Sequence, residues 1–191
     1  MFLLLNNLDM YFKQLDLTFP TINYEQNISH YLMSYGSKKL LTYYRLNEYA
    51  CAEVLKCIPN GLKEQVTSID WVVSGVESST IVPHIDNGVI CNINYYLETA
   101  NAFTSFYEAN SSGCLTPMVD EHGTYGNLGG KVFNWNDVRL KTGFVAKNND
   151  CYLLNVSKVH AVTRLNVPKQ RKFVTVMFEK IDFDAVLSHF S

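Results

Sequence analysis

Short runs of apolar and β-branched residues, each bounded by turn-forming residues, recur along the chain from about residue 66 onward. Stretches rich in Asn, Gly, Ser and Asp separate these runs, for example Asn87-Gly88. Many short strands with few helical patterns predict an antiparallel sandwich or barrel, and therefore a mainly β fold. The predicted strands cover 67–74, 79–85, 90–97, 103–107, 151–156 and 173–178.

The first 65 residues have a mixed pattern, in which helical spacing of apolar residues predicts two helices. The first prediction is a helix over about 25–35, because apolar positions recur at helical intervals up to Tyr35 and Gly36 follows. The second is a helix over 47–58, with Asn47 as the N-cap residue and Pro59 as the stop.

The chain of 191 residues is expected to be one domain. In this interpretation a mixed N-terminal part (1–65) precedes a β core at about 66–180. Five of the ten glycines fall in the region of about 110–140, which is therefore predicted to be an irregular insertion. We expect such an insertion to border a binding site and to help select the substrate.

The composition is that of a globular protein without a strong charge bias. Hydrophobic residues make up 47% of the chain, charged residues 18%, and the formal net charge is −2, so a nucleic-acid partner is not expected. No apolar stretch approaches the ~20 residues of a membrane-spanning helix. Five cysteines without a Cys-x-x-Cys pair predict reduced thiols and a cytoplasmic location.

The strongest candidate for chemistry is Pro83-His84-Ile85-Asp86, at the end of a predicted strand. Side chains at i and i+2 of a strand point to the same side, roughly 6–7 Å apart at the backbone, so an imidazole and a carboxylate can converge on one ion. His160 follows a later predicted strand. Two His and one carboxylate on one side of a metal are typical of non-haem Fe(II) oxygenases. Asp120 and His122 share the same spacing, but they lie in the insertion, where a solvated loop is the simpler interpretation.

A cation follows His160 at the start of the last predicted strand. Arg171 lies 11 positions after His160 and would reach the same cavity from that strand. A buried Arg needs an anionic partner, and a carboxylate fits its planar guanidinium. A shift of one residue in register would instead turn Lys172 inward, and the sequence leaves this choice open.

Together these residues resemble the iron- and 2-oxoglutarate-dependent dioxygenases, over about residues 70–180. The run Cys91-Asn-Ile-Asn-Tyr-Tyr-Leu97, followed by a second strand at 103–107, is similar to the strand pair after His-x-Asp in the prolyl hydroxylase-like branch. Residues 171–178 resemble the last core strand of that branch, and the aspartyl/asparaginyl hydroxylases share part of the pattern. The resemblance implies a double-stranded β-helix, a jelly-roll or cupin-like fold, with flanking N-terminal helices.

The resemblance also implies roles for individual residues. His84, Asp86 and His160 would bind Fe(II), while Arg171 and Tyr96 would bind the far carboxylate of 2-oxoglutarate. Asn92 and Asn94 share the strand parity of Tyr96 and would also face this cosubstrate. With O2, such a site would hydroxylate an unactivated C–H bond, as on peptidyl proline or asparagine, although related sites also oxidise small molecules.

Two other functions remain open from the sequence. One is a cupin-like metalloenzyme that does not use 2-oxoglutarate and so has no need of Arg171. The other is a non-catalytic jelly-roll binding module, in which His84 and Asp86 only share a hydrogen bond.

Overall fold

A computed structural model of the chain describes residues 10–24, 30–35, 38–74, 80–86, 88–110, 116–117, 119–120, 131–164 and 169–190. Its elements among these residues are three α-helices, one short 3-10 helix (Trp135–Asp137) and fourteen strands. The helices are α1 (Glu48–Cys57), α2 (Asn60–Lys63) and α3 (Phe183–Ser188). The strands are β1 (Phe12–Leu15), β2 (His30–Tyr35), β3 (Lys38–Arg45), β4 (Ser68–Ser74), β5 (Thr80–Ile85), β6 (Cys91–Glu98), β7 (Ala102–Ala109), β8 (Thr116–Pro117), β9 (Val119–Asp120), β10 (Lys131–Val132), β11 (Val138–Val145), β12 (Cys151–Leu154), β13 (His160–Arg164) and β14 (Lys172–Phe178).

The strands form two sheets in which neighbouring strands are antiparallel. The larger sheet has the order β1-β12-β6-β14-β4-β3-β2-β9, and the smaller has the order β11-β7-β13-β5-β10-β8. This architecture confirms the mainly β prediction. It arises because each short strand exposes alternate residues on opposite faces, so that one row of side chains can enter the space between the sheets.

Alternating residues of the large sheet contribute to two separate hydrophobic clusters. On the outer face, Ile93 and Tyr95 of β6 pack with Val54 of α1 and Phe183 of α3. On the inner face, Tyr96 of the same strand packs with Phe106 of the smaller sheet. The large sheet is therefore buried on both sides, which explains why β6 is a nearly continuous buried strand.

The second predicted helix is confirmed, and the first is wrong over the described residues 30–35. Asn47 caps α1 by accepting a hydrogen bond from the Ala50 N–H at 2.8 Å, and Ala50, Val54 and Ile58 are buried. Residues 30–35 form β2, which pairs with β3 as an antiparallel partner. Pairing along the edge of the large sheet overrides the helical spacing of these residues.

The predicted insertion at 110–140 is more regular than expected at its C-terminal end. β10 pairs with β5, where Val132 lies opposite His84. Residues 138–140 begin β11, an eight-residue strand that pairs with β7. Residues 121–130, which include Tyr125 and most of the glycines, lie outside the described residues. The role of this segment in substrate selection stays a prediction.

Four of the five cysteines are described, and none of these four forms a disulfide: Cys51, Cys57, Cys91 and Cys151. Burial raises the pKa of the Cys91 thiol to about 12. No helix in the described part of the chain is long and apolar enough to span a membrane.

Candidate metal centre and anion pocket

Three side chains from two neighbouring strands converge between the sheets. His84 belongs to β5, Asp86 follows the end of that strand, and His160 is the first residue of β13. The two strands pair so that His84 lies opposite His160, with the ring centroids 4.2 Å apart. One possible ligand atom from each of the three side chains lies within 4.8 Å of the others. The structure brings the three predicted ligands together; that they bind a metal stays a prediction.

Backbone hydrogen bonds orient both imidazoles. Nδ1 of His84 lies 2.8 Å from the Val82 carbonyl oxygen, and Nδ1 of His160 lies 3.0 Å from the Lys158 carbonyl oxygen. A carbonyl only accepts, so each Nδ1 carries the proton and donates it. In the neutral ring, Nε2 is then an unprotonated donor of an electron pair. This is how metal-binding histidines are oriented.

The two Nε2 atoms face the same carboxylate oxygen. Oδ1 of Asp86 is 3.4 Å from Nε2 of His84 and 3.8 Å from Nε2 of His160. The backbone N–H of Asp86 donates to the Val156 carbonyl at 3.1 Å, which fixes the turn after β5. All three groups therefore point at one shared position rather than into separate cavities.

The electrostatics favour the metal-binding protonation states. Burial by itself would raise the pKa of Asp86, but interactions with His84 and His160 outweigh it and lower this pKa below its usual value. Burial, reinforced by His84, lowers the pKa of His160 to about 4. At neutral pH the carboxyl is ionised and the His160 ring is uncharged, which are the forms that bind a metal.

Arg171 enters the same cavity from the start of β14 and is only 5% exposed. Its backbone N–H donates to Oγ of Ser74 at 2.7 Å, and its carbonyl accepts from the Ser74 N–H at 2.9 Å. Its Nη2 donates to the Tyr96 hydroxyl at 2.9 Å and to Oγ1 of Thr104 at 3.2 Å. These contacts hold the guanidinium in one orientation without neutralising its charge.

No carboxylate of the described residues forms an ion pair with Arg171. The aromatic rings of Tyr96 and Phe173 lie 4.8 and 4.9 Å from its Cζ atom and shield it from water. A buried cation without a carboxylate partner is costly, so the cavity is suited to an anionic ligand. Lys172 lies on the other side of the strand, where its Nζ pairs with Glu98 at 3.0 Å. Of the two candidates, Arg171 is the cation that lines the cavity.

Of the three other residues predicted to contact a cosubstrate, two line this cavity and the third, Tyr96, contacts Arg171. Asn92 and Asn94 are 8% and 5% exposed and line it from β6. Tyr96 is fully buried, and its hydroxyl reaches Arg171. Because this hydroxyl accepts from Arg171, its own proton is available for an anion beside the guanidinium.

Sequence reasoning missed three polar residues that line the cavity: Tyr43, Thr104 and Thr175. Burial, with smaller contributions from Asp86 and Asp70, raises the pKa of Tyr43, so its phenol stays neutral. Thr175 of β14 lies four positions after Arg171 and shares its strand parity, which could have identified it. Tyr43 could not be found in this way, because β3 was not predicted.

The competing pair Asp120 and His122 cannot be compared with this site, since His122 and the side chain of Asp120 lie outside the described residues. His189 follows α3 and is exposed, so it lies outside the cluster. Among the described residues, His84, Asp86 and His160 are the one cluster whose geometry could hold a metal ion.

Comparisons with known proteins give a match at the level of structure. No protein-family model matches the sequence, and no curated protein is significantly similar to it. Solved structures of the non-haem alpha-ketoglutarate-dependent epimerase SnoN from nogalamycin biosynthesis are similar at a TM-score of 0.51 and 10% identity. One of them is a complex with Fe3+, alpha-ketoglutarate and nogalamycin RO.

The alignments with the two SnoN structures cover 80% of this chain and 67–68% of SnoN. EvdMO1 is also similar, at a TM-score of 0.39 and 12% identity, over 81% of this chain and 39% of its own. The likeness to SnoN supports the fold alone, and it confirms the predicted double-stranded β-helix.

Proposed function

We propose that this chain is a non-haem Fe(II)- and 2-oxoglutarate-dependent oxygenase. The observation that carries the proposal is a buried Arg171 that has no carboxylate partner among the described residues, in the cavity that also contains His84, Asp86 and His160. A metal triad alone fits many enzymes. A triad together with a buried cation fits a ligand that binds a metal through one end and carries a carboxylate at the other.

The donor set fits Fe(II). Two imidazole Nε2 atoms and one carboxylate oxygen, all on one side of a shared position, are the ligands of non-haem Fe(II) oxygenases and leave the opposite positions open. When bound, the iron and 2-oxoglutarate supply the oxidation of a C–H bond by O2, with succinate and CO2 as the other products. The protein orients the ligands and excludes water, since His84 and His160 are only 4% and 6% exposed.

The far carboxylate of 2-oxoglutarate is assigned to Arg171 and Tyr96. The guanidinium offers N–H groups beyond those that Tyr96 and Thr104 use, and the Tyr96 hydroxyl can add one more donor. Asn92 and Asn94 line the same cavity and can donate from their amide nitrogens. The resulting pocket presents positive charge and hydrogen-bond donors to a dianionic ligand.

Both rival functions explain less of the site. A cupin-like enzyme without 2-oxoglutarate leaves Arg171 buried with no anionic partner in the part of the chain that the structure describes. A non-catalytic module needs only the contact between His84 and Asp86, and gives no reason for His160 to face the same oxygen. The SnoN complex contains both iron and alpha-ketoglutarate, which is consistent with the proposal for a chain of the same fold.

For the reaction itself we propose hydroxylation of an unactivated C–H bond. Peptidyl proline or asparagine is the class that the sequence resemblance suggests, whereas SnoN is an epimerase that has been solved with a small molecule, nogalamycin RO. Neither the comparison with curated proteins nor the comparison with family models supports a peptide substrate over a small molecule. Location in the cytoplasm likewise stays a prediction.

The test is direct binding of 2-oxoglutarate to the Fe(II)-loaded protein under anaerobic conditions, followed by release of succinate when O2 is admitted. Wild-type protein should bind both ligands in a one-to-one ratio. Arg171→Ala should weaken 2-oxoglutarate binding by at least about tenfold, because a buried charge-assisted pair contributes ~2–5 kcal/mol.

Lys172→Ala is the matched control, because Lys172 is the next residue and pairs outward with Glu98. It should bind 2-oxoglutarate as tightly as the wild type. If Lys172→Ala weakens binding and Arg171→Ala does not, the assignment of the clamp is wrong by one residue. If 2-oxoglutarate does not bind the wild type, the proposed function is wrong and the cupin-like alternative is favoured.

A further inference from the structure

Three buried polar atoms on the inner face of the large sheet have no hydrogen-bond partner among the described residues. They are Oδ1 of Asn92, Oδ1 of Asn94 and Oγ1 of Thr175. Their side chains belong to residues that are only 8%, 5% and 1% exposed. Most buried polar atoms in proteins are hydrogen-bonded, so three unpartnered atoms close together call for an explanation.

The three atoms belong to one patch of the sheet. Thr175 of β14 lies opposite Asn94 of β6, and Asn92 is two positions along the same strand, opposite Met177. Directly opposed side chains share one face of a sheet with Cβ atoms roughly 4.5–5.5 Å apart. The cavity that contains the metal triad is lined by all four of these residues: Asn92, Asn94, Thr175 and Met177. The patch is therefore part of the wall that a ligand in this cavity would touch.

The proposed cosubstrate cannot satisfy the two amide oxygens. Ionised 2-oxoglutarate carries two carboxylates and a ketone, all of which are acceptors, and an amide oxygen is also an acceptor. The amide nitrogens of Asn92 and Asn94 can donate to 2-oxoglutarate, but their oxygens require a different ligand with N–H or O–H groups. Arg171 donates to Tyr96 and Thr104 rather than to these oxygens, and its remaining N–H groups are assigned to 2-oxoglutarate.

The ligand group that would donate a hydrogen bond to these amide oxygens is expected to be uncharged. The charged residues of the described cavity wall are Asp86, in the metal triad, and Arg171, at the clamp. Around the patch the wall is apolar, formed by Leu154, Val156 and Met177. The buried carboxylate of Asp70 lies opposite Thr175 in β4, but it pairs with Arg45 at 3.3 Å. A cation placed at the patch would therefore lose its hydration without gaining a carboxylate of its own, whereas a neutral donor loses far less.

We propose that the substrate inserts a neutral group with an N–H or O–H donor against Asn92 and Asn94, beside the metal triad. An amide and an alcohol both have this chemistry. The inference rests on the proposed function, since it assigns to the substrate the part of the cavity that 2-oxoglutarate leaves unsatisfied. It excludes substrates whose inserted part is an alkyl chain or an ammonium group.

The test compares pairs of small probes that differ only in the donor. The probes are 2-pyrrolidinone against γ-butyrolactone, which replaces the N–H by a ring oxygen, and cyclopentanol against cyclopentanone, which keeps the ring and the exocyclic oxygen but has no O–H. Binding is measured by ligand-observed NMR on protein loaded with Zn(II), which is diamagnetic and redox-inactive, and 2-oxoglutarate. One added hydrogen bond should make the donor probe bind about fivefold more tightly than its partner. The pair with the larger preference shows whether an amide or a hydroxyl is recognised.

Substitutions in the patch test whether its residues cause the preference for donor probes. Asn92→Leu and Asn94→Leu should abolish the difference between donor and acceptor probes. Met177→Leu, an apolar change opposite Asn92 in the same patch, should keep it. The ratio within a probe pair is the readout, because a general change of the cavity would alter both probes of a pair alike.

Two results would overturn the inference: equal binding within both pairs, or no binding of any probe. Equal binding would mean that the amide oxygens serve bound water only. Failure of the proposed function is recognised separately, as the absence of 2-oxoglutarate binding before any probe is added. In that case the same probe pairs are compared on the protein without Zn(II) and 2-oxoglutarate. Equal binding of the donor probe and its partner would again count against the patch.

Discussion

His84 and His160 illustrate how a residue's function depends on which atom its neighbours leave available. In both rings Nδ1 is engaged by the carbonyl of the residue two positions earlier, so that Nε2 faces Asp86. If Nδ1 were turned inward instead, the rings would make neither the hydrogen bonds to these carbonyls nor the contacts of Nε2 with Asp86. The local strand geometry is therefore as much a part of the candidate metal centre as the residue types are.

The wild-type protein should bind about one Fe(II) per chain, and His84→Ala should abolish this binding. The reason is that two remaining ligands leave the ion mostly hydrated, and loss of a ligand usually removes most of the affinity. His189→Ala is the matched control, since His189 is exposed and far along the chain from the triad. Calorimetric titration under anaerobic conditions measures both. Unchanged Fe(II) binding in His84→Ala would contradict the assignment of the triad.

Tyr96→Phe should weaken 2-oxoglutarate binding by roughly tenfold, because it removes a hydrogen-bond donor to a charged group and the acceptor for Nη2 of Arg171. Tyr95→Phe provides the comparison. Tyr95 is the preceding residue, faces the other side of the sheet, and its hydroxyl donates to Asn149 at 3.3 Å. Equal affinities in the two variants, measured by fluorescence or calorimetry, would argue against a role of Tyr96 at the clamp.

At this scale, sequence reasoning identified His84, Asp86, His160 and Arg171 because their spacing carries chemical meaning without knowledge of the fold. It did not identify Tyr43, whose position at the cavity depends on β3 pairing with β4. Nor could spacing decide between Arg171 and Lys172. That choice depends on which side of β14 faces the cavity, and only the sheet register settles it.

Among the elements, β11 shows how a long strand can be hidden in a sequence that appears irregular. It lies at the edge of the smaller sheet, most of its side chains are partly or fully exposed, and its register against β7 shifts between Leu140 and Thr142. Its apolar and polar residues alternate only over residues 138–141, up to the register shift, and this pattern is too short to reveal an eight-residue strand. Its pairing with β7 is visible only in three dimensions.

Gly143→Ala should lower the free energy of unfolding by about 1–3 kcal/mol. A Cβ atom at residue 143 would lie 2.5 Å from Cζ of Phe103 and 2.7 Å from the Thr104 carbonyl oxygen, and the backbone atom cannot move away cheaply. Thr142→Ala is the control in the same strand. Urea unfolding monitored by circular dichroism gives both values. Equal stability of the two variants would show that β7 accommodates the added methyl group.

The two helical predictions differ in outcome for a physical reason. Residues 47–58 have a cap, an apolar face and a proline stop, and α1 packs that face on the outer side of the large sheet. Residues 30–35 have only helical spacing, which six residues can satisfy by chance. The hydrogen bonds of β2 with β3 and β9 then decide the structure.

For the whole molecule, the large sheet separates stability from chemistry. Its outer face supports a core with the helices, and its inner face forms the cavity wall together with the smaller sheet. Polar residues such as Asn92, Asn94 and Thr175 can therefore be placed inward without interrupting the outer core. Substitutions on the inner face can alter ligand binding while the packing of α1 and α3 is preserved.

The pairing of β5 with β13 also affects the rate at which the protein unfolds. His160 lies 74 positions after Asp86, so the three candidate ligands meet only when this long segment of chain has closed. A metal ion should then stabilise the native state more than the folding transition state. Saturating Zn(II) should slow unfolding in urea jumps and leave the refolding rate nearly unchanged. Acceleration of refolding by the ion would indicate instead that β5 and β13 meet early.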